Sequence, residues 1–250
     1  MVKTPQQIEG IRRACRICRR ILDRLGQMVR PGISTEELAR AGEQMLAEEK
    51  VVSAFRGYRG YPSAFCLSVN EEVVHGIPGP GKVLASGDIV GIDVGVICDG
   101  FYGDCADTFC AGEVSAVHAR LIEAARGALA AGISQAVAGN RVGDISAAVQ
   151  SFVEAAGFSV VRQFAGHGVG CELHEPPEIP NFGKKGTGPV LRENMTIAIE
   201  PMVNEGSRKV RILEDGWTAV TEDGRYSAHS EHTVLVGRTA AEVLTQAEYG

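Results

Sequence analysis

The chain has 250 residues, 44% of them hydrophobic and 22% charged, enough for a sizeable core and ordinary for a folded globular protein. Its net charge of −6 argues against a nucleic-acid-binding surface as the main business, so no direct nucleic-acid function is expected. No run approaches the ~18 apolar residues of a membrane span, no signal-peptide core opens the chain, and seven scattered cysteines suit reduced thiols. A cytoplasmic protein without a membrane partner is expected.

Thr4-Pro5 is a helix-start signal, and Ile8, Ile11, Cys15, Cys18, Leu22, Leu25 and Val29 follow it at helical spacing. The opposite face carries Arg12, Arg13, Arg16, Arg19, Arg20 and Arg24, read as a solvated helix face, with a ribosome contact as the alternative. Cys15 and Cys18 form a C-x-x-C without a second pair, and read as small core residues rather than a zinc knuckle. Pro31-Gly32 ends this helix, and Ser34 with Glu37 makes a capping box for a second one reaching about Lys50. A strand candidate over 64–69 and the loop 75–81, rich in Gly and Pro, come next.

From Gly91 apolar residues alternate up to Asp99-Gly100, a pair suited to a type I′ turn, after which a second extended run follows. That turn sets Cys98 opposite Phe101, Ile97 opposite Tyr102 and Gly95 opposite Asp104. Asp93 then shares a face with Asp104, while Ile92, Val94 and Val96 fill the other face. Two carboxylates on one side of a rigid hairpin repel each other unless a cation sits between them, and Gly95 is expected to leave room for it.

Helical spacing resumes from Val117 to about Val137, a Gly139–Gly143 break follows, and Asp144 is expected to cap a helix reaching Gly157. A faint repeat of the first half suggests two halves, roughly 1–113 and 114–250, each a helix pair followed by antiparallel strands, with a cleft between them. Gly166-His167-Gly168 lets backbone approach closely while the imidazole reaches inward. His174 follows, Glu200 ends an apolar strand before Pro201, and Glu231 enters another. Each alone is more often a loop or surface residue. Together, Asp93, Asp104, His167, Glu200 and Glu231 offer hard carboxylate oxygens and one imidazole, a set that suits two divalent cations such as Co, Mn, Fe or Zn.

Asp93 and Asp104 with ten residues between them, Gly-His167-Gly-Val-Gly, Ile-Glu200-Pro-Met and Glu231-His-Thr, in this order, resemble the methionine aminopeptidases. The likeness also covers Tyr58-Arg59-Gly60-Tyr61-Pro62, Ser68-Val69-Asn70-Glu71 and His75-Gly76-Ile77-Pro78. It implies an α+β pita-bread fold in a single catalytic domain, the short bacterial type I form, and a monomer. It further implies removal of the amino-terminal Met from nascent polypeptides by hydrolysis of the first peptide bond at a dinuclear centre of two divalent metal ions.

Residue by residue, the resemblance implies that Asp93 holds one cation, His167 and Glu200 the other, and that Asp104 and Glu231 bridge them. Glu200 would carry a proton, His174 would hydrogen-bond the scissile carbonyl, and His75 would contact substrate near the peptide nitrogen. The methionine pocket would be lined by Phe55, Tyr58, Tyr61, Cys66, Leu173 and Trp217. Phe55 stands where the family usually has a small residue, often cysteine, and Leu173 where phenylalanine or methionine is common, so pocket volume would be kept and its axis moved. Two other readings share parts of this pattern. Xaa-Pro dipeptidases and aminopeptidase P use the same metal centre, and some pita-bread proteins survive as metal-free binding modules.

Overall fold

Thr4 opens the first helix, α1 (Pro5–Met28), in the computed structural model, which describes residues 2–246. Residue 1 and residues 247–250, at the outer ends of the two expected halves, lie outside the described residues. The Gln7 N–H donates to Thr4 Oγ1 at 3.3 Å, and the Thr4 N–H donates back to Gln7 Oε1 at 2.8 Å, so two orphan donors of the first turn are satisfied. Ile11, Cys15, Cys18, Ile21, Leu22 and Leu25 are fully buried, each large apolar side chain contributing about 1.5–3 kcal/mol relative to exposure. Cys18 donates to the Val94 carbonyl from inside this core.

The second helix, α2 (Thr35–Glu48), starts at the expected Ser34 and Glu37 capping box. Helices α3 (Ala116–Ile133) and α4 (Val142–Ala155) form the later pair. Here one expectation fails. Arg141, not Asp144, caps α4, and Asp144 is its third residue, its Oδ2 accepting the Arg141 N–H at 2.7 Å. The expected break does separate α3 from α4, with Gly139 at a φ of 96°, but Gly143 already lies inside α4, where only glycine fits because a Cβ would meet the Lys184 carbonyl oxygen at 2.4 Å.

Nine strands among the described residues build the principal sheet: β1 (Val52–Ser53), β2 (Cys66–Val69), β3 (Ile89–Cys98), β4 (Phe101–Cys110), β5 (Ala165–Gly168), β6 (Glu175–Pro180), β7 (Thr196–Ile199), β8 (Glu231–Leu235) and β9 (Glu242–Val243). The main path runs β1-β3-β4-β8-β7-β5-β6, with β2 paired to β3 and β9 to β8. The hairpin β3–β4 has the expected register, including Cys98 opposite Phe101 and Gly95 opposite Asp104. Asp99 and Gly100 have φ of 49° and 82°, the pair of positive values that a type I′ turn requires.

Helices cover one face of this sheet, and the backbone of α1 comes so close to β4 that a Cβ on Gly103 would meet the Ala14 carbonyl carbon at 2.6 Å. Ile92, Val94 and Val96 point into the core beneath α1 and α2, while Ile197, Ile199 and Val234 join a second core beneath α3 and α4. The opposite face of the same strands is left for polar side chains. A small sheet of Ser159–Val160, Met202–Asn204 and Ser227–His229 and another of Glu72–Val74, Val210–Ile212 and Ala219–Thr221 complete the described strands. Among the described residues no helix is long and apolar enough to cross a membrane.

Candidate metal centre and substrate cavity

Asp93, Ala106 and Glu231 stand side by side across β3, β4 and β8, since Asp93 pairs with Ala106 and Ala106 with Glu231. The small Ala106 between two acids leaves their carboxylates clear of each other's stems. Asp104 lies two residues along β4 on the same face. His167 arrives from β5, whose glycines permit tight packing: a Cβ on Gly166 would meet the Ala198 carbonyl oxygen at 2.3 Å, and one on Gly168 the Pro176 carbonyl oxygen at 2.5 Å. Glu200 follows the end of β7, directly before Pro201.

All five expected donors therefore meet in one cavity of about 120 Å³, which also includes His75, His174 and His229. Single donor atoms of Asp104, His167 and Glu231 lie within 4.8 Å of one another. His167 Nε2 is 3.4 Å from Glu200 Oε1 and 3.8 Å from Asp104 Oδ2. His167 Nδ1 is 3.0 Å from the Gly168 carbonyl oxygen. A carbonyl can only accept, so Nδ1 carries the proton and Nε2 presents its lone pair to the carboxylates.

The electrostatics match that geometry. Burial, and then Asp104, holds the Asp93 carboxyl well above its usual range, and burial pushes Asp104 up to about 7. Glu200 and Glu231 are likewise raised, first by burial and then by neighbouring acids. Burial lowers His167 to about 3, keeping its imidazole neutral. Asp93 Oδ1, Asp104 Oδ1 and Glu231 Oε1 are buried with no hydrogen-bond partner. Orphaned carboxylate oxygens cost free energy, and a neutral imidazole beside them completes a donor set fitted to divalent cations.

Gly95 does not leave room for a cation as expected. A Cβ there would meet the Phe55 ring at 2.5 Å, because Phe55 folds over this gap in the sheet. The ring belongs instead to a neighbouring cavity of about 150 Å³, where Phe55, Tyr58, Tyr61, Cys66, Leu173 and Trp217 come together with Arg59, His75 and His174. Cys66 reaches it from β2, paired with Asp93. Tyr61 and Trp217 meet edge to face at 5.1 Å. The Tyr61 hydroxyl is within 3.0 Å of the Gly76 carbonyl, so its polar tip is turned to the backbone and its ring to the cavity.

His75 and His174 line both cavities. His75 has a φ of 60°, an uncommon conformation that turns its ring toward Phe164 at 5.4 Å and Trp217 at 6.2 Å. Burial lowers its pKa to about 4. His174 lies 4.1 Å from the His167 ring, centroid to centroid, and its Nδ1 is 2.8 Å from the Tyr58 hydroxyl. Its loop is tied down by Glu175, which accepts the Cys171 N–H at 2.7 Å and the Glu172 N–H at 3.2 Å. The Lys3 ammonium donates to the other Glu175 oxygen, with both side chains buried.

Sequence reading assigned no role at this site to Lys3, Arg59, Phe164 or His229. Two of them left a sequence signal: Arg59 stands inside the Tyr58–Pro62 stretch that resembles the family, and His229 stands two residues before Glu231. A wider groove of about 710 Å³ leads away from His167 and His174 past Arg59, Arg162, Phe164 and Phe182. A separate cavity of about 470 Å³ behind the sheet is lined by Arg19, Asp107, Arg126 and His232. Arg126 pairs there with Asp107 and Arg19 with Asp23, so its charges are engaged with one another.

The family described as Metallopeptidase family M24 matches residues 9–238. The chain is 46% identical over 245 residues to the methionine aminopeptidase of Clostridium perfringens (strain 13 / Type A), covering 98% of each chain. It is 44% identical over 244 residues to methionine aminopeptidase 1 of Bacillus subtilis (strain 168), again covering 98% of each. The crystal structure of methionine aminopeptidase from Thermotoga maritima superimposes with a TM-score of 0.97 at 45% identity and covers 99% of both chains. A prolidase from Pyrococcus furiosus, 22% identical, shares the fold with a TM-score of 0.79, this chain covering 66% of its length. The α+β architecture is thus the expected pita-bread fold, and the chain belongs to metallopeptidase family M24.

Proposed function

We propose that the protein hydrolyses the first peptide bond of polypeptides that begin with methionine. The observation that carries this reading is a cluster of five metal-type donors opening directly onto an aromatic- and sulfur-lined cavity through two shared histidines. A narrow apolar cavity with polarisable walls suits a thioether side chain. Its relatives in Clostridium perfringens and Bacillus subtilis are methionine aminopeptidases.

Asp93 would hold one divalent ion, His167 and Glu200 a second, and Asp104 and Glu231 would be shared between them. Such ions acidify water and polarise a carbonyl. Glu200 takes the proton from the attacking water and passes it to the leaving amine. With Nδ1 engaged by Tyr58, His174 has Nε2 left to hydrogen-bond the scissile carbonyl oxygen as charge develops there. His75 contacts the substrate near the peptide nitrogen. The groove beyond His174 accepts the rest of the chain. Phe55 over Gly95 and the shorter Leu173 set the axis of the methionine cavity.

We read the protein as one catalytic domain with halves roughly 1–113 and 114–250, acting as a cytoplasmic monomer with two ions chosen among Co, Mn, Fe and Zn. A ribosome contact through α1 has less to recommend it, because Arg12, Arg13, Arg20 and Arg24 pair with Glu242, Asp99, Glu49 and Glu48 of the same chain. The test is release of free methionine from Met-Ala-Ser and Met-Pro-type peptides, against Xaa-Pro dipeptides, after chelation and re-addition of each metal. Metal-restored release after an amino-terminal Met is expected. Cleavage of Xaa-Pro dipeptides alone would assign a dipeptidase, and silence with every metal would leave a binding module.

A further inference from the structure

His229 ends the strand Ser227–His229, opposite Met202. Its backbone is clamped by Thr108: the His229 N–H donates to Thr108 Oγ1 at 3.0 Å, and that hydroxyl donates to the His229 carbonyl at 2.8 Å. The residue is only 4% exposed, and its side chain faces the carboxylate cavity. Its Nε2 is buried without a hydrogen-bond partner and lies 4.0 Å from Glu200 Oε2. Glu200 therefore sits between two imidazoles, with Oε1 toward His167 and Oε2 toward His229. A buried imidazole nitrogen without a partner is costly, and the clamped backbone fixes the point from which the ring enters the cavity.

We propose that His229 is a positioning residue for Glu200: its Nε2–H donates to Glu200 Oε2 and so aims Oε1 at the ion shared with His167. The proposal rests on the dinuclear reading of the site. Metal-ligating carboxylates are commonly oriented by such outer hydrogen bonds, and their loss weakens metal affinity rather than the fold.

The experiment is calorimetric titration of the chelated full-length protein with Mn²⁺, comparing wild type with H229L, H229Q and H229N, each checked by circular dichroism. A Gln amide reaches the position of the imidazole Nε2, whereas the shorter Asn reaches only that of Nδ1. Expected is a roughly 10- to 100-fold weaker binding step for H229L and H229N, with H229Q retaining affinity within about threefold of wild type. If H229L fails to fold, the contrast between Gln and Asn still decides. Equal affinity in wild type, H229L and H229N would overturn the positioning role, as would a loss in H229Q as large as in H229N. Absence of Mn²⁺ binding in the wild type would instead overturn the dinuclear reading beneath it.

Discussion

Asp104 shows how a single side chain can oppose the fold that holds it. Its carboxyl is buried among Asp93, Glu200 and Glu231, and its Oδ1 lacks a partner. On the proposed assignment, replacing it by alanine removes a ligand shared by the two ions, and turnover should fall by more than the roughly 100-fold seen when only an outer hydrogen bond to a ligand is lost. The fold should persist, with chelated Asp104→Ala no less heat-stable than chelated wild type, because a repulsive carboxylate has gone. Near-normal turnover would contradict the shared-ligand role, which methionine release and thermal melts together decide. His174→Ala should keep its metal content and lose roughly 10²- to 10³-fold in kcat, the usual effect of removing one oxyanion donor. A change confined to KM would remove that role. Phe55→Cys should open the space over Gly95 and raise rates on substrates bulkier than Met relative to Met itself. An unchanged ratio across a Met, norleucine and bulkier series would show that the ring does not limit the cavity.

Elements explain why some of this was legible in the sequence. The hairpin β3–β4 could be read in full register because alternation and an Asp-Gly turn are both local signals. The cap of α4 could not, because its first two amides, of Val142 and Gly143, donate to the Pro189 and Thr187 carbonyls, contacts made with a segment far along the chain. Lys3 was invisible for the same reason. It lies at the start of the chain, yet it neutralises Glu175 and thereby fixes the loop that presents His174. Burial opposes ionisation of Glu175, but Lys3 and the Cys171 and Glu172 amides outweigh it and hold the carboxyl below its usual range. A depressed folded pKa means that the unfolded chain binds more protons between the two values, so the pair's contribution is present above the unfolded pKa of about 4.3 and is lost as pH falls through the folded one. Lys3→Met should cost about 3–5 kcal/mol by removing the cation paired with a buried carboxylate, together with a lower kcat. The stability gap from wild type should narrow as pH falls from 6 toward 3, which denaturant melts at each pH would read. A gap that widened toward acid would show that Glu175 is not the group being stabilised.

At the scale of the whole molecule, the donors come from strands backed by two different cores. Asp93 and Asp104 stand on the hairpin packed under α1 and α2, whereas His167 and Glu200 come from strands around β7, packed under α3 and α4. The donors were legible because their residue types and order carry chemistry. Their surroundings were not, since His229, Lys3 and the fold of Phe55 over Gly95 take their places through contacts between distant segments. Bound ions would join the two cores through one set of carboxylates, and so would stabilise the native chain by mass action. At a free concentration a hundredfold above Kd this amounts to about 2.7 kcal/mol per independent site, or a rise of roughly 5–10 °C in Tm for a chain of this size. Chelation should therefore lower Tm by that order, re-addition of metal should restore it in proportion to the logarithm of concentration, and Glu231→Ala should blunt the response. Hydrogen exchange would show where the stabilisation acts. Amides of β3, β4, β5, β7 and β8 should gain protection together on metal addition, because one centre ties all five strands. Protection confined to a single hairpin would mean that the ion is held by one half alone.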